Sequence, residues 1–192
     1  MICAKKIQKF GILSPTYKDE RVYKNYENFS EKPEKNEKIF NKFGVHEVDL
    51  IDNNFLIKKS NIKNNLFDEN FFLFFETFDF ATNLQKKGKK LYVAEKIKFR
   101  HYGASSINSK YNNLVKKTRS FHFNWSKFYF YKKNFNYFYG LKKIYPNLIK
   151  SFKKLFIFFV KLDLNNFKLS FLEMLGIISA IIGLKSFYRP RN

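Results

Sequence analysis

The sequence predicts an α/β fold, with a sheet drawn from residues 1–105 and helices thereafter. Three observations carry that expectation. Gly11–Pro15 (GILSP) reads as a short buried strand ending in a turn, and Leu91–Phe99 (LYVAEKIKF) reads as extended chain. Between them, Lys86–Lys90 with Gly88 reads as a helix stop, the basic residues completing the helix dipole and the glycine supplying the turn. Beyond Ser106 the apolar residues recur at helical rather than alternating spacing.

Taken in order, Met1–Phe10 reads as the end of a helix, with Ile2, Ile7 and Phe10 apolar among lysines. Residues 16–45 are polar, mixed in sign and contain Pro33 and Gly44, the profile of a long surface loop that either borders a substrate or is merely solvated. Val45–Ile57 alternates imperfectly, and its latter part reads as a strand near the middle of the sheet. Lys59–Asn65 is a polar link. Phe71–Phe75 (FFLFF) is either a buried strand or one helical turn, since periodicity does not separate the two. Glu76 and Asp79, three residues apart, share one face if a helix begins there. The strand at Leu91–Phe99 then delivers His101 to a sheet edge.

In the second half, Ser120–Asn134 reads as a helix with Phe121, Trp125, Phe128 and Tyr129 as its apolar stripe. Pro146 suits the first turn of a further helix, whose apolar residues are Leu148, Phe152, Leu155, Phe156 and Phe159. Ser170 and Glu173 have the spacing of a capping box ahead of MLGIISAIIGL, with Gly183 and Pro190 suited to that helix's end.

Composition narrows the function classes. A chain of 192 residues with 45% hydrophobic and 20% aromatic content supports a real core rather than wholesale disorder. A single cysteine, Cys3, excludes a disulfide framework within the chain and fits a reducing compartment. Met1–Leu13 lacks the apolar core of a secretory signal. The net charge of +21 is segregated: residues 1–85 balance at 13 basic and 13 acidic, whereas residues 121–192 carry 13 basic and 2 acidic. A bias toward lysine codons explains the amount of lysine but not its placement, and such a field attracts phosphate, anionic lipid or nucleic acid. The uncharged apolar runs, six residues in LFIFFV and 11 in Met174–Leu184, fall short of the roughly 20 that span a bilayer. A basic surface bearing Trp, Tyr and Phe suits the headgroup region instead, the alternative being that these helices pack on a further domain half or on another subunit.

The stretch Phe67–Ser106 resembles the second half of a family 2 glycosyltransferase domain of the rhamnosyltransferase-like kind. FDENFF (Phe67–Phe72) matches that pattern, Glu76 and Asp79 fall on its acidic positions, and His101, Gly103 and Ser105 fall on its closing His-x-Gly-x-Ser motif. VDLIDNNFLIKKS and GILSP resemble its preceding strands; WSKFYFYKK and SFYRP resemble its tails with less specificity. The resemblance implies the acceptor-side half of a GT-A (nucleotide-diphospho-sugar transferase) fold over residues 1–119, with a basic aromatic helical tail over 120–192. It implies transfer of a sugar from a nucleotide donor to a glycan or lipid-linked acceptor, in the cytoplasm or at the inner face of the cell membrane. Glu76 or Asp79 would accept the acceptor proton, and His101 would help bind a divalent metal, Mg or Mn. Asp68 and Glu69 stabilise the turn or contact the acceptor. The plain alternatives are an acidic helix N-terminus facing its own dipole and a structural histidine at a strand end.

Two departures stand out. Thr77 occupies a position where relatives carry an Asp taken as the base, and Asn83 one where they carry Arg. No Asp-x-Asp occurs, so the resemblance implies that the nucleotide-binding half comes from a partner chain or from upstream sequence. Two other readings compete: a nucleic-acid-binding surface in Lys110–Lys143, where aromatics interleave with basic residues, and a basic peripheral membrane protein without catalysis. The nucleic-acid reading is disfavoured, because it carries no recognised signature and leaves the ordered acidic motif unexplained.

Overall fold

The structure is a computed structural model that describes residues 10–18, 25–28, 42–52, 54–58, 60, 67–100 and 109–189. It is a mixed α/β chain that divides into two compact units, Met1–Asp68 with Thr77–Gly103 and Glu69–Glu76 with Ala104–Asn192.

The first unit holds strands β1 (Phe10–Tyr17), β2 (Tyr26–Glu27), β3 (Val45–Val48), β4 (Leu50–Ile51), β5 (Leu56–Ile57) and β6 (Lys90–Phe99), with helix α1 (Glu76–Lys86), all but its first residue, ahead of β6. Four strands form one sheet in the order β3-β6-β1-β5, and β2 pairs with β4 in a second. The two central strands, β1 and β6, are parallel, while β5 and β3 flank them antiparallel. Parallel neighbours need a crossover connection, and α1 lies within it. Ile12 of β1 with Leu91 and Val93 of β6 packs on Phe80, Ala81 and Leu84 of α1. The opposite parity, Leu13, Val45 and Ala94, forms a smaller cluster with Phe10, as the two-residue period of a strand requires. α1 ends where lysines and glycine predict: Gly88 has φ +71°, and the amides of Lys87 and Lys89 both reach the Leu84 carbonyl.

The two expected strands are present, but the chain between them differs from its sequence reading. Phe10, expected to close a helix, opens β1, and residues 1–9 lie outside the described residues. Thr16 and Tyr17, assigned to a surface loop, stay in β1 and are buried; within that same loop, Tyr26–Glu27 pairs with Leu50–Ile51. Residues 45–57 hold three short strands, and the latter part, expected near the middle of the sheet, is the two-residue β5 at its edge. Polar residues break the run: the Asp49 amide turns aside to the Glu27 carbonyl, and Asn54 takes the left-handed conformation at φ 42°.

The second unit is a three-helix assembly of α2 (Asn112–Asn134), α3 (Tyr137–Val160) and α4 (Leu164–Ile181). Phe121, Trp125 and Phe128 of the expected stripe are buried, with Ile144, Leu172, Ile177 and Ala180 around them. Gly176 lets α4 approach the backbone of α2 closely, since a Cβ there would stand 2.3 Å from the Phe121 carbonyl oxygen.

Three helix starts move, the first being that of α2, which begins at Asn112, eight residues before the expected Ser120. α3 begins nine residues before Pro146 because the Asn136 side chain accepts from the Tyr139 amide at 2.8 Å; Pro146 is exposed, so the Lys142 carbonyl it leaves without a helical partner is on the solvent side. α4 begins after Asp163, whose carboxylate accepts from the Asn166 amide at 3.1 Å. Ser170 therefore caps nothing and donates to the Asn166 carbonyl within the helix at 2.9 Å. The resulting α4 of 18 residues is long and apolar enough, by length and composition, to cross a membrane, a property that counting uncharged runs missed.

FFLFF is neither strand nor helix. Phe74 and Phe75 sit at φ 68° and 65°, an uncommon backbone for side chains of this size. The segment is held by α2: Ser126 Oγ donates to the Leu73 carbonyl at 2.8 Å, Phe71 meets Tyr129 edge-on, and Phe75 lies against Phe130.

Candidate active site

Within the first unit, polar side chains gather where the parallel strands end. Leu84, near the end of α1, lies beside Gly11 at the start of β1. Thr77, at the other end of α1, donates to the Asp52 carboxylate. The Asp52 amide in turn reaches the Asn25 carbonyl at 2.8 Å, and the Asn25 side chain donates to Ser14 Oγ and to the Pro15 carbonyl, each at 2.9 Å. The helix therefore runs antiparallel to β1, with its N-terminal end at the carboxyl end of the strand. That edge of an open α/β sheet is where ligands bind, and a helix N-terminus there favours negative charge.

Ser14, Thr16 and Asn25 are all buried in this cluster. Ser14 Oγ also donates to the Asn54 carbonyl at 3.0 Å, and Thr16 Oγ1 donates to the Glu95 carbonyl at 3.2 Å while accepting from Lys98 Nζ at 2.8 Å. Burial of the two hydroxyls and of the Asn25 amide nitrogen is tolerated because they bond to one another and to the backbone, whereas the Asn25 amide oxygen is buried with no partner among the described residues.

A bulge widens the same edge. Pro15 pairs with Ala94, but the next residue, Thr16, pairs with Lys98, so Glu95, Lys96 and Ile97 are extra on β6. Glu95 and Lys96 donate their amides to the carbonyls of Gly44 and Phe43 instead. The bulge re-aims the Glu95 carboxylate, whose Oε1 accepts from Tyr26 at 3.1 Å and lies 3.7 Å from His46 Nε2. A carboxylate, a phenol, an imidazole and the Lys98 ammonium thus share one sheet end. Such a set suits proton transfer to and from hydroxyls, with a cation to meet developing negative charge.

The residues expected from sequence are distributed as follows. Glu76 is the first residue of α1 and is half-buried; Asp79 stands one turn on, fully buried, and accepts from Asn83 Nδ2 at 3.2 Å. Asp68 is half-buried and Glu69 exposed, in the turn ahead of Phe71. His101, Gly103 and Ser105 lie outside the described residues. Asp52, Glu95, Tyr26 and His46 were missed. Asp52 was legible only through its match to the resembled strand, and Glu95 is hidden by a bulge that no local pattern announces.

The second unit contains a separate histidine cluster. His122 is buried, its Nε2 donates to the Tyr188 carbonyl and its Nδ1 is hydrogen-bonded with Ser186 Oγ, both at 2.8 Å; the carbonyl requires a proton on Nε2. Burial pushes the imidazole below its ordinary value, the Tyr188 carbonyl opposes this, and the Arg189 guanidinium adds to the depression. The pair resembles a nucleophile–base dyad, but both groups are buried and the ring joins the C-terminal strap 184–189 to α2, which is a structural role.

Among the described residues no group of three or more His, Cys, Asp or Glu stands close enough to hold a metal ion. His101, the ligand that the resemblance implies, lies outside the described residues. Comparison with family models, with curated proteins and with solved structures finds no match.

Proposed function

We propose that the chain is the acceptor-side part of an inverting, nucleotide-sugar-dependent glycosyltransferase of the family 2 kind, with a partial GT-A sheet. The ordered acidic motif of residues 67–79 motivates the reading. The observation that carries it is the placement of the α1 N-terminus, with its acids, at the carboxyl end of two parallel strands.

In this reading an acceptor hydroxyl gives its proton to a carboxylate as its oxygen attacks the anomeric carbon. The bond from that carbon to the diphosphate breaks, and the nucleoside diphosphate leaves with the electron pair. Glu76 and Asp79 are the carboxylates the motif singles out. Thr77 cannot accept a proton from the hydroxyl, but its bond to Asp52 places a third carboxylate at the same helix end. Asp68 and Glu69 contact the acceptor. Partners are a nucleotide-sugar donor and a glycan or lipid-linked acceptor of cell-surface polysaccharide synthesis. A divalent metal and His101 belong to the reading by resemblance alone.

The test is release of nucleoside diphosphate from uridine, guanosine and thymidine diphospho-sugars by the full chain, with and without oligosaccharide or lipid-linked acceptors. Acceptor-dependent release from one donor is expected. No release from any donor, together with no binding of any of them, would falsify the reading.

A further inference from the structure

The second unit presents an apolar helix face that its own core leaves uncovered. On α3, Tyr145, Ile149, Phe152, Phe156, Phe159 and Val160 are all exposed, Phe152, Phe156 and Phe159 at 64–66%. At 100° per residue these six fall within one stripe along the helix. Ile144, Leu148 and Ser151, on one flank, face the core, and Lys142, Lys150 and Lys153 follow the other flank. The three phenylalanines alone expose about 400 Å², already the size of the largest apolar patch on a typical soluble monomer. The tip that follows is apolar too, with Leu162 and Leu164 at 82% and 68%.

We propose that this face of α3, with the α3–α4 tip, docks on an anionic lipid surface and lies in the headgroup plane. The inference is independent of the sugar-transfer reading. Charge selects the occupant. Residues 121–192 carry 13 basic and 2 acidic side chains. Both acids are already engaged, Asp163 in capping α4 and Glu173 by Lys154 at 2.8 Å and by Ser151 at 3.1 Å. A second copy would bring the same positive excess against itself, whereas acidic headgroups over acyl chains meet both the lysines and the phenylalanines. Spanning is disfavoured although α4 has the length for it. α4 runs antiparallel to α3, Tyr137 bonding to the Ile181 carbonyl at one end and Phe159 meeting Phe167 at the other. α3 carries lysines at 142, 143, 150, 153 and 154, which a bilayer core would have to accommodate.

The experiment is flotation of the full chain with vesicles of phosphatidylcholine alone or mixed with phosphatidylglycerol. Binding to the mixed vesicles is expected to be ~tenfold stronger or more, and to fall with added salt. Phe152→Ser with Phe156→Ser replaces only exposed rings, so the melting curve stays unchanged while vesicle binding drops by ~tenfold or more. Phe156→Trp is expected to shift its emission to the blue on binding. Flotation of the double variant equal to wild type, or an unshifted Phe156→Trp spectrum, overturns the proposal. So does a wild-type dimer that the double variant abolishes, or oligonucleotide binding that depends on these two rings in place of lipid binding.

Discussion

Gly176→Ala sets two effects of opposite sign against each other. Alanine is favoured over glycine inside a helix by about 1 kcal/mol, so propensity alone predicts a more stable protein. The structure predicts the reverse. The added methyl would lie 2.3 Å from the Phe121 carbonyl oxygen and 3.1 Å from its carbon, both backbone atoms of α2 that no rotamer change can move. Relief requires α4 to shift from α2 by roughly an ångström, which forfeits about a quarter to a half of each dispersion contact across the interface. That interface includes Phe121, Leu172, Ile177 and Ala180. Overpacking typically costs about 1–3 kcal/mol, and a backbone clash of this depth belongs at or above the top of that range. After the propensity gain, a net loss of about 2 kcal/mol is expected, or a fall in melting temperature of about 8–16 °C for a unit of this size. Trp125 is the sole tryptophan, buried in the same cluster and donating to the Leu184 carbonyl at 2.9 Å, so its fluorescence reports the transition during urea unfolding. A variant as stable as wild type, or more so, would show that the two helices do not approach as described.

Three further outcomes follow from the same contacts. The depressed His122 makes stability fall on acidification: the unfolded chain takes up a proton near its ordinary value of about 6.5 before the folded ring does. Unfolding free energy should therefore hold above that pH and decline below it, and His122→Gln should flatten the decline; an unchanged slope would exclude His122 as its source. Glu173→Ala strips an acceptor from buried Ser151 and the partner of Lys154, at an expected cost of about 1–2 kcal/mol in urea unfolding. Glu173→Gln should cost less, and equal losses would argue against the ion pair. Thr77→Val keeps the shape but loses the bond to Asp52, and a loss of about 1 kcal/mol is expected; no loss would mean that the bond does not hold the helix end.

The legible parts of the fold were those set by local physics. GILSP is buried strand because Ile12 and Leu13 are apolar, although the turn expected at Pro15 is absent and β1 runs on to Tyr17, and KKGKK stops α1 because glycine takes φ +71° at no steric cost. The Phe121–Trp125–Phe128 stripe announced α2 and its buried face. What failed depended on distant partners. Asn136 outcompeted Pro146 as the start of α3, and Glu173 matched a capping spacing yet is held by Lys154 on another helix. Phe74 and Phe75 of FFLFF took a left-handed backbone because α2 supplies rings and a hydroxyl to fix the segment, which no window of five residues reveals. The site divides the same way. Glu76 and Asp79 were legible from their spacing, but the Asp52–Thr77 bond joins residues 25 apart and the Glu95–Tyr26 bond residues 69 apart.

The central claim is that acids at the start of α1 serve sugar transfer, and turnover of the preferred donor by carboxylate-to-amide variants tests it most directly. Glu76→Gln, Asp79→Asn and Asp52→Asn should each keep the wild-type circular dichroism spectrum, and at least one should lower kcat by about a hundredfold or more with little change in donor KM. Three folded variants that all turn over at the wild-type rate would contradict the account.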